Sequence, residues 1–537
     1  MNVSKTNRVS QEEVSAAFER NAGNIRATAK ELNIARSTVR EKLKPLGKMK
    51  KPLAAGTIQG TVAERELLPV SGEVRRYILT SAQNNTLVHD SVWNNLLALS
   101  KFYDAEIIIG SYTYNQNAYG KLSVKRGTDK PEEKSLWYDP KLTPHIQDKR
   151  VELAPGLVWC GEMNILPTAV NPLAGLESYT GRKSAIFPHA KLAMRSIATM
   201  QGEGVKLNYT TGTVTQRNYI QKREGVIAEF HHIYGALLVE VNSNGNWWVR
   251  QLNQDEGTDT IQDLDVLVKK GRVIEGVRVE AITYGDLHGT FADPEIVKAS
   301  HDMLDTLMPK YQFLHDVMEG ASINPHDRKY KNNHAKFHTW LRGYHRLDAE
   351  LKDTAALLTT YQRPFAKTVI IDSNHDDAWL QRWLRDYDYR VDPANAELFL
   401  DLQSYMYSRI RGGDMPRDIS VIEYALGRAG YKVPARFLLA DESYLICGKR
   451  IECGMHGHLG PSGRRGSPDN LSKMARKANT AHTHATGIYN GLYVAGTSSK
   501  LRWDYNLGPS NWTNSHIVTY SNGKRSIITI YDGKWRA

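Results

Sequence analysis

The alternation of apolar and polar positions divides the chain into stretches of different kinds. From about Ser10 to Leu46 apolar residues recur at helical spacing, and GNIRATAKELNIARSTVREKL predicts helix, tight turn, helix. Ala27, Ala29 and Leu32 are spaced to face Val39 and Leu43, Asn33-Ile34 makes the turn, and Ser37 is placed to cap the second helix. The following KPLGKMKKPLAAGTIQG carries Lys44, Lys48, Lys50 and Lys51 among Pro and Gly with almost no periodicity, which predicts a basic linker. From about Ala63 to Val277 the pattern changes. RRYILTSAQNNT, an amphipathic stretch from Ser91 to Phe102, and AEIIIGSYTYN predict strand, helix, strand, the unit of a parallel pair. GALLVEVNSNGNWWVRQL predicts a hairpin with Asn244-Gly245 in a primed turn. Asn84, Asn85 and Thr86 read as turn and capping residues, and His189, His231 and His232 as packed or surface histidines.

From Gly276 onward, apolar segments repeatedly run into hard or borderline metal ligands. VRVEAITYGDLHGT ends a strand in Asp286 and His288, a carboxylate and an imidazole two residues apart. At the carboxyl end of a strand such a pair points into the crevice where open α/β sheets bind ligands. YQFLHDVMEG ends in Asp316, whose two oxygens suit a bridge between cations, and KTVIIDSNHDDAW supplies Asn374 as a neutral oxygen ligand and His375 as a proton donor. CGMHGHLG offers His456 and His458, and NTAHTHATGIYNGLYVAGT offers His482 and His484. Each cluster alone is a weak signal, because an isolated DxH or HxH is common in ordinary loops. Five in one order are specific.

That order, DxH, D, NH(D), H, HxH, resembles the calcineurin-like metallophosphoesterase superfamily, which includes the Mre-eleven and SbcD nucleases, over about Arg278 to Ile530. The resemblance implies a four-layer α/β/β/α sandwich with a dinuclear metal site. Asp286, His288 and His484 would hold one ion, Asp316 would bridge, and Asn374, His456 and His482 would hold the other. His458 remains a rival to His456. His375 would act on the scissile phosphate, with Asp376 or Asp286 orienting its ring. The sequence departs from the usual pattern at Glu319, where a second Asp is common, and at Ser373 and Ala481, where Gly is usual. Two divalent ions would draw charge from a phosphodiester and supply a nucleophile near neutral pH. Mixed oxygen and imidazole donors favour manganese, with iron or zinc also compatible.

Composition sharpens the substrate. The 537 residues are enough for two or three domains, and Lys and Arg total 70 against 58 Asp and Glu, a net +12 that favours a polyanionic partner such as DNA. Arg328, Lys329, Lys331 and Arg342 interleave with aromatic residues between Asn324 and Arg346, and Arg464 and Arg465 follow His458. With Arg36 and Arg40 of the second amino-terminal helix, these are the candidate DNA contacts. The helical pair also fits self-association. Cys160, Cys447 and Cys453 form no CxxC pair, so neither a disulfide framework nor a thiolate zinc site is expected. No apolar run is long enough for a signal core or a membrane span, and a cytoplasmic protein is expected.

The expected organisation is a helix-turn-helix-like domain over 1–48, a linker over 49–62, an α/β middle domain over 63–277 and a metallophosphoesterase domain over 278–537. The overall layout, with TSAQNNT and AHTHATGIY, is also similar to pre-early DNA-transfer and host-DNA-degrading proteins of T-five-like tailed phages. The resemblance implies a metal-dependent DNase in the cytoplasm of an infected bacterium, with phage or host proteins or a second copy as further partners. A phosphomonoesterase or protein phosphatase of the same superfamily, and a DNA-binding regulator with an inactive core, are the alternatives.

Overall fold

Short strands buried on both faces set the architecture of the chain, described here from a computed structural model covering residues 9–21, 24–43, 74–114, 137–326, 333–503 and 506–537. The chain divides into two compact units, Met1–Ala63 and Glu64–Ala537.

In the first unit, helices α1 (Gln11–Arg20), α2 (Ile25–Glu31) and α3 (Arg36–Leu43) enclose a small core of Val14, Ala29, Val39 and Leu43, with Leu32 and Ile34 against it. Ser10 starts α1 with a reciprocal capping box to Glu13. The turn between α2 and α3 places Asn33 at φ 50°, a left-handed conformation that Asn tolerates better than most residues. Ser37 falls inside α3 instead of capping it. The linker expected over 49–62 lies outside the described residues.

In the second unit, strand Arg75–Gln83 pairs in parallel with Ala105–Tyr112 across the helix Asp90–Tyr103, as the periodicity predicts. The hairpin Gly235–Val241 and Trp247–Asn253 also forms. Its turn differs from the expected primed pair: only Gly245 has positive φ, and the Asn242 side chain accepts the backbone N–H groups of Asn244 and Asn246. His189 and His232 are buried, and burial pushes them down to about 4 and about 3.

Two further sheets hold the candidate ligands. A six-stranded sheet has the order Arg436–Phe437, Lys367–Ile370, Tyr311–Leu314, Ala281–Thr283, Ser515–Thr519, Arg525–Thr529, the first four parallel. Ile282, Leu314 and Ile370 on one face pack against Met303, Leu307, Leu351 and Leu358 of the helices Pro294–Leu307 and Leu347–Thr360. Their neighbours Ala281, Phe313 and Val369 point to the other face, against Ile446, Ile451 and Cys453 of the second sheet. Period-two alternation thus assigns each residue to one of two cores, and each large aliphatic side chain buried there contributes roughly 1.5–3 kcal/mol.

The second sheet has ten strands, five from residues 150–210 and five from residues 445–494, joined where Gly487–Tyr489 pairs with Met194–Ile197. The boundary expected at 277/278 therefore does not separate two compact units, because one sheet is built from both sides of it. A helical layer packs on one face of the six-stranded sheet and the ten-stranded sheet on the other. The outer face of the ten-stranded sheet is packed by Leu471 of the short helix Pro468–Leu471 and by Leu173 and Leu176, which lie outside any helix, where a full helical layer was expected. Cys160, Cys447 and Cys453 are buried and unpaired with one another. Among the described residues no helix is long and apolar enough to cross a membrane.

Candidate metal centre

Every one of the five ligand segments leaves the carboxyl end of a strand. Ala281–Thr283, Tyr311–Leu314 and Lys367–Ile370 run into Asp286, Asp316 and Asn374; Ile451–Glu452 and Lys477–Thr480 run into His456 and His482. The first three strands are parallel neighbours in one sheet and the last two in the other, so parallel pairing brings sequence-distant side chains to one edge. Gly285 permits close backbone approach there: a Cβ on it would lie 2.6 Å from the carbonyl carbon of Gly496.

Two groups form from the expected ligands, and His288 also falls in a third group with Glu319 and His375. Asp286, His288 and His484 make the first, with Asp286 Oδ2 3.0 Å from His484 Nε2 and the two imidazole Nε2 atoms 2.9 Å apart. Asp316, His456 and His482 make the second, with Asp316 Oδ2 3.2 Å from His456 Nε2 and Asn374 Oδ1 3.0 Å from the same nitrogen. The groups adjoin, because His456 Nδ1 lies 3.7 Å from Asp286 Oδ1. His456 is thus the member of the fourth cluster that joins the ligands, whereas His458 lines the cleft above, its ring 5.4 Å from that of His456.

The electrostatics suit cations. Burial and the neighbouring Asp316 hold Asp286 well above the usual carboxylate range. Burial would raise Asp316 too, but His456, His375 and His288 together hold it well below. Burial pushes His288 and His456 down, and His482 and His484 down to about 4, so their nitrogen lone pairs are available. Both oxygens of Asp286, and Nδ1 of His456 and of His484, are buried without a hydrogen-bond partner. Such orphaned acceptors are costly unless a cation or a proton meets them. A mixed carboxylate, imidazole and amide donor set of this kind fits divalent transition metals.

Backbone strain accompanies the ligands. His288, Asp316, His482 and His484 have φ of 54°, 39°, 72° and 55°, a conformation that costs roughly 1–2 kcal/mol per non-glycine residue. Strain of this kind persists where surrounding structure over-determines it, and it aims the four side chains inward.

His375 stands beside the two groups. Its backbone N–H donates to Asp316 Oδ1 at 3.1 Å, its Nδ1 lies 2.8 Å from the Glu319 carbonyl, and its ring stacks on Trp379 at 3.9 Å. An Nδ1–H donated to that carbonyl leaves Nε2 as the free ring nitrogen. Asp376, expected to orient this ring, does not: its carboxylate accepts Val317 N–H, Met318 N–H and the Ser373 hydroxyl. It clasps the loop after Asp316 instead, and Asp286 likewise belongs to the first ligand group. The carboxylate beside the ring is Glu319, whose Oε2 lies 3.4 Å from His375 Nδ1 and 2.8 Å from His288 Nδ1, the latter without hydrogen-bond geometry. Burial pushes Glu319 up to about 8. Its spacing three residues beyond Asp316 was the only sequence signal for this place.

A cleft of about 1430 Å³ opens over the ligands and is lined by Asp316, Asn374, His375, His482 and His484. Arg342, Arg464 and Arg465 line it as the sequence suggested, joined by Lys500, Arg502, Trp379, Trp503 and Trp512, which sequence reasoning missed. Arg464 and Arg465 are exposed and have no ion-pair partner among the described residues. Arg328, Lys329 and Lys331 lie outside the described residues. Arg36 and Arg40 are exposed on α3 of the other unit.

Residues 7–46 match the helix-turn-helix family described as bacterial regulatory protein, Fis family. Over 501 residues, 91% of this chain and 86% of the relative, the sequence is 37% identical to Protein A1 of Escherichia phage T5. The chain belongs to the phage T5 Protein A1 family. The amino-terminal match supports DNA binding by the first unit of this A1-family chain.

Proposed function

We propose that this phage-type protein is a metal-dependent DNase that hydrolyses phosphodiester bonds at the centre formed by Asp286, His288, Asp316, Asn374, His456, His482 and His484. The observation that carries the reading is the convergence of these seven side chains from five segments, with buried acceptors lacking partners. Asp286, His288 and His484 would hold one divalent ion and Asn374, His456 and His482 another, with Asp316 between them; manganese is the favoured metal. When bound, such ions offset phosphate charge and activate water.

The chain's own groups do the rest. In its imidazolium form His375, with Nδ1–H held at the Glu319 carbonyl, would present an Nε2–H toward the cleft to stabilise phosphate charge or to give a proton to the leaving oxygen. Trp379 keeps the imidazole plane fixed. Arg464 and Arg465, exposed at the cleft, bind the backbone phosphates on either side of the reacting one. The four-layer metallophosphoesterase sandwich is the fold-family reading that goes with this centre, and a bacterial cytoplasm is the compartment in which a phage enzyme would meet host DNA.

The test is incubation of purified chain with labelled linear and circular DNA across a panel of divalent metals, beside a phosphomonoester. Expected are manganese-dependent DNA products whose rate falls steeply with salt. Salt-insensitive turnover of the monoester alone would favour the phosphatase alternative.

A further inference from the structure

The cleft carries an aromatic wall that phosphodiester chemistry does not require. Trp503 lies 4.9 Å from the ring of His288 and Trp512 lies 4.1 Å from that of His484, each ring nearly perpendicular to its histidine. The two tryptophans are 5.6 Å apart at 86°, and Phe291 continues the wall, 5.4 Å from Trp503. Both tryptophans are half-buried and line the same cleft as Asp316 and His375.

The described residues flanking them are held by hydrogen bonds. Arg502 donates to the carbonyls of Gly508 at 2.7 Å and Thr199 at 3.3 Å, and Asn506 accepts Trp503 N–H at 2.8 Å. Thr199 and Ser510 exchange backbone N–H···O bonds of 3.0 and 2.9 Å. The region around Thr199 thus holds the wall in place, and a clamped aromatic surface loses little entropy when it binds.

We propose that Trp503 and Trp512 form a nucleobase subsite, which takes the base of an unpaired nucleotide adjoining the scissile phosphate. The inference rests on the phosphodiesterase reading and adds the substrate's form to it. Aromatic rings within one ring contact of the ligand histidines stand at the level of the phosphate. In a duplex the bases beside that phosphate are stacked and paired inside the helix, so they reach such a wall only after extrusion, at a cost of a few kcal/mol. An unpaired nucleotide bends its base onto it freely. Stacking of this kind tolerates any base, which suits degradation without sequence preference.

The experiment compares two small diesters on the full chain with manganese: thymidine 5′-(p-nitrophenyl phosphate) and its abasic deoxyribose analogue. Expected is a kcat/KM about tenfold higher with the base, in the range of one stacked base. Trp512→Leu should bring that ratio toward one. Because Trp512 touches His484, the readout is the ratio within one preparation, which a general loss of metal or fold leaves unaltered. A single-stranded 12-mer should likewise be cleaved about tenfold faster than a hairpin duplex of the same composition. A wild-type ratio near one with both diesters turned over removes the subsite and leaves the phosphodiesterase standing. A chain that turns over neither diester removes both.

Discussion

Asp316 ties the second ligand group to the His375 loop, since one oxygen meets His456 and the other accepts the His375 backbone N–H. Asp316→Asn keeps the shape and removes the charge, so bound manganese measured by elemental analysis should fall and turnover should be lost. Wild-type hydrolysis by this variant at saturating manganese would contradict the bridging role. His375→Ala should retain the metal yet slow single-turnover cleavage by about 10²–10⁴-fold; a normal rate would sink its assignment. Glu350 is a quieter case. Its Oε1 accepts Glu319 N–H at 3.0 Å and Gly320 N–H at 2.5 Å, and burial pushes it up to about 7. A folded pKa above the unfolded one means that its contribution is full below about 4.3 and is lost as pH rises toward 7. Glu350→Gln should therefore gain melting temperature relative to wild type between pH 5 and pH 8. A constant difference across that range would show that Glu350 does not titrate there.

At the scale of elements, α3 and the strand ends play different parts. Arg36 and Arg40 lie exposed on α3, consistent with a helix that meets phosphates. Replacing both with Ala should weaken duplex binding and lower the salt slope by about one for each phosphate no longer neutralised, while leaving turnover of a small diester at the wild-type rate. Unchanged DNA affinity would favour self-association of the three helices. The strand ends were legible because an apolar run that stops at Asp, Asn or His is a local pattern. The segment bearing Trp503 and Trp512 was not, because nothing local says that it folds over a centre whose first ligand lies more than 200 residues earlier. Glu319 was visible only as a departure from a family pattern, and Asp376 was misread because adjacency to His375 in sequence does not imply contact.

For the whole molecule, the orphaned carboxylate and imidazole atoms and the four left-handed ligand residues mean that the metal-free fold of Glu64–Ala537 carries uncompensated cost. Manganese should raise its melting temperature, by the equivalent of about 2.7 kcal/mol at a hundred times the dissociation constant, and a chelator should reverse the shift. An identical transition with chelator and with excess manganese would show that no ion is held.

What the sequence determined by itself were the properties carried by short range: helical spacing before Leu46, the strand, helix, strand unit after Arg75, and the kinds and order of ligand-bearing strand ends. Tertiary structure decided which strands share a sheet, and so that residues 150–210 and 445–494 build one. It also chose His456 over His458, placed Glu319 beside His375 and clamped the tryptophan wall against Thr199. The division has a physical cause: backbone periodicity is fixed by neighbours along the chain, whereas sheet partners and side-chain convergence are fixed by which surfaces bury most apolar area together, and those surfaces meet only once the chain has folded.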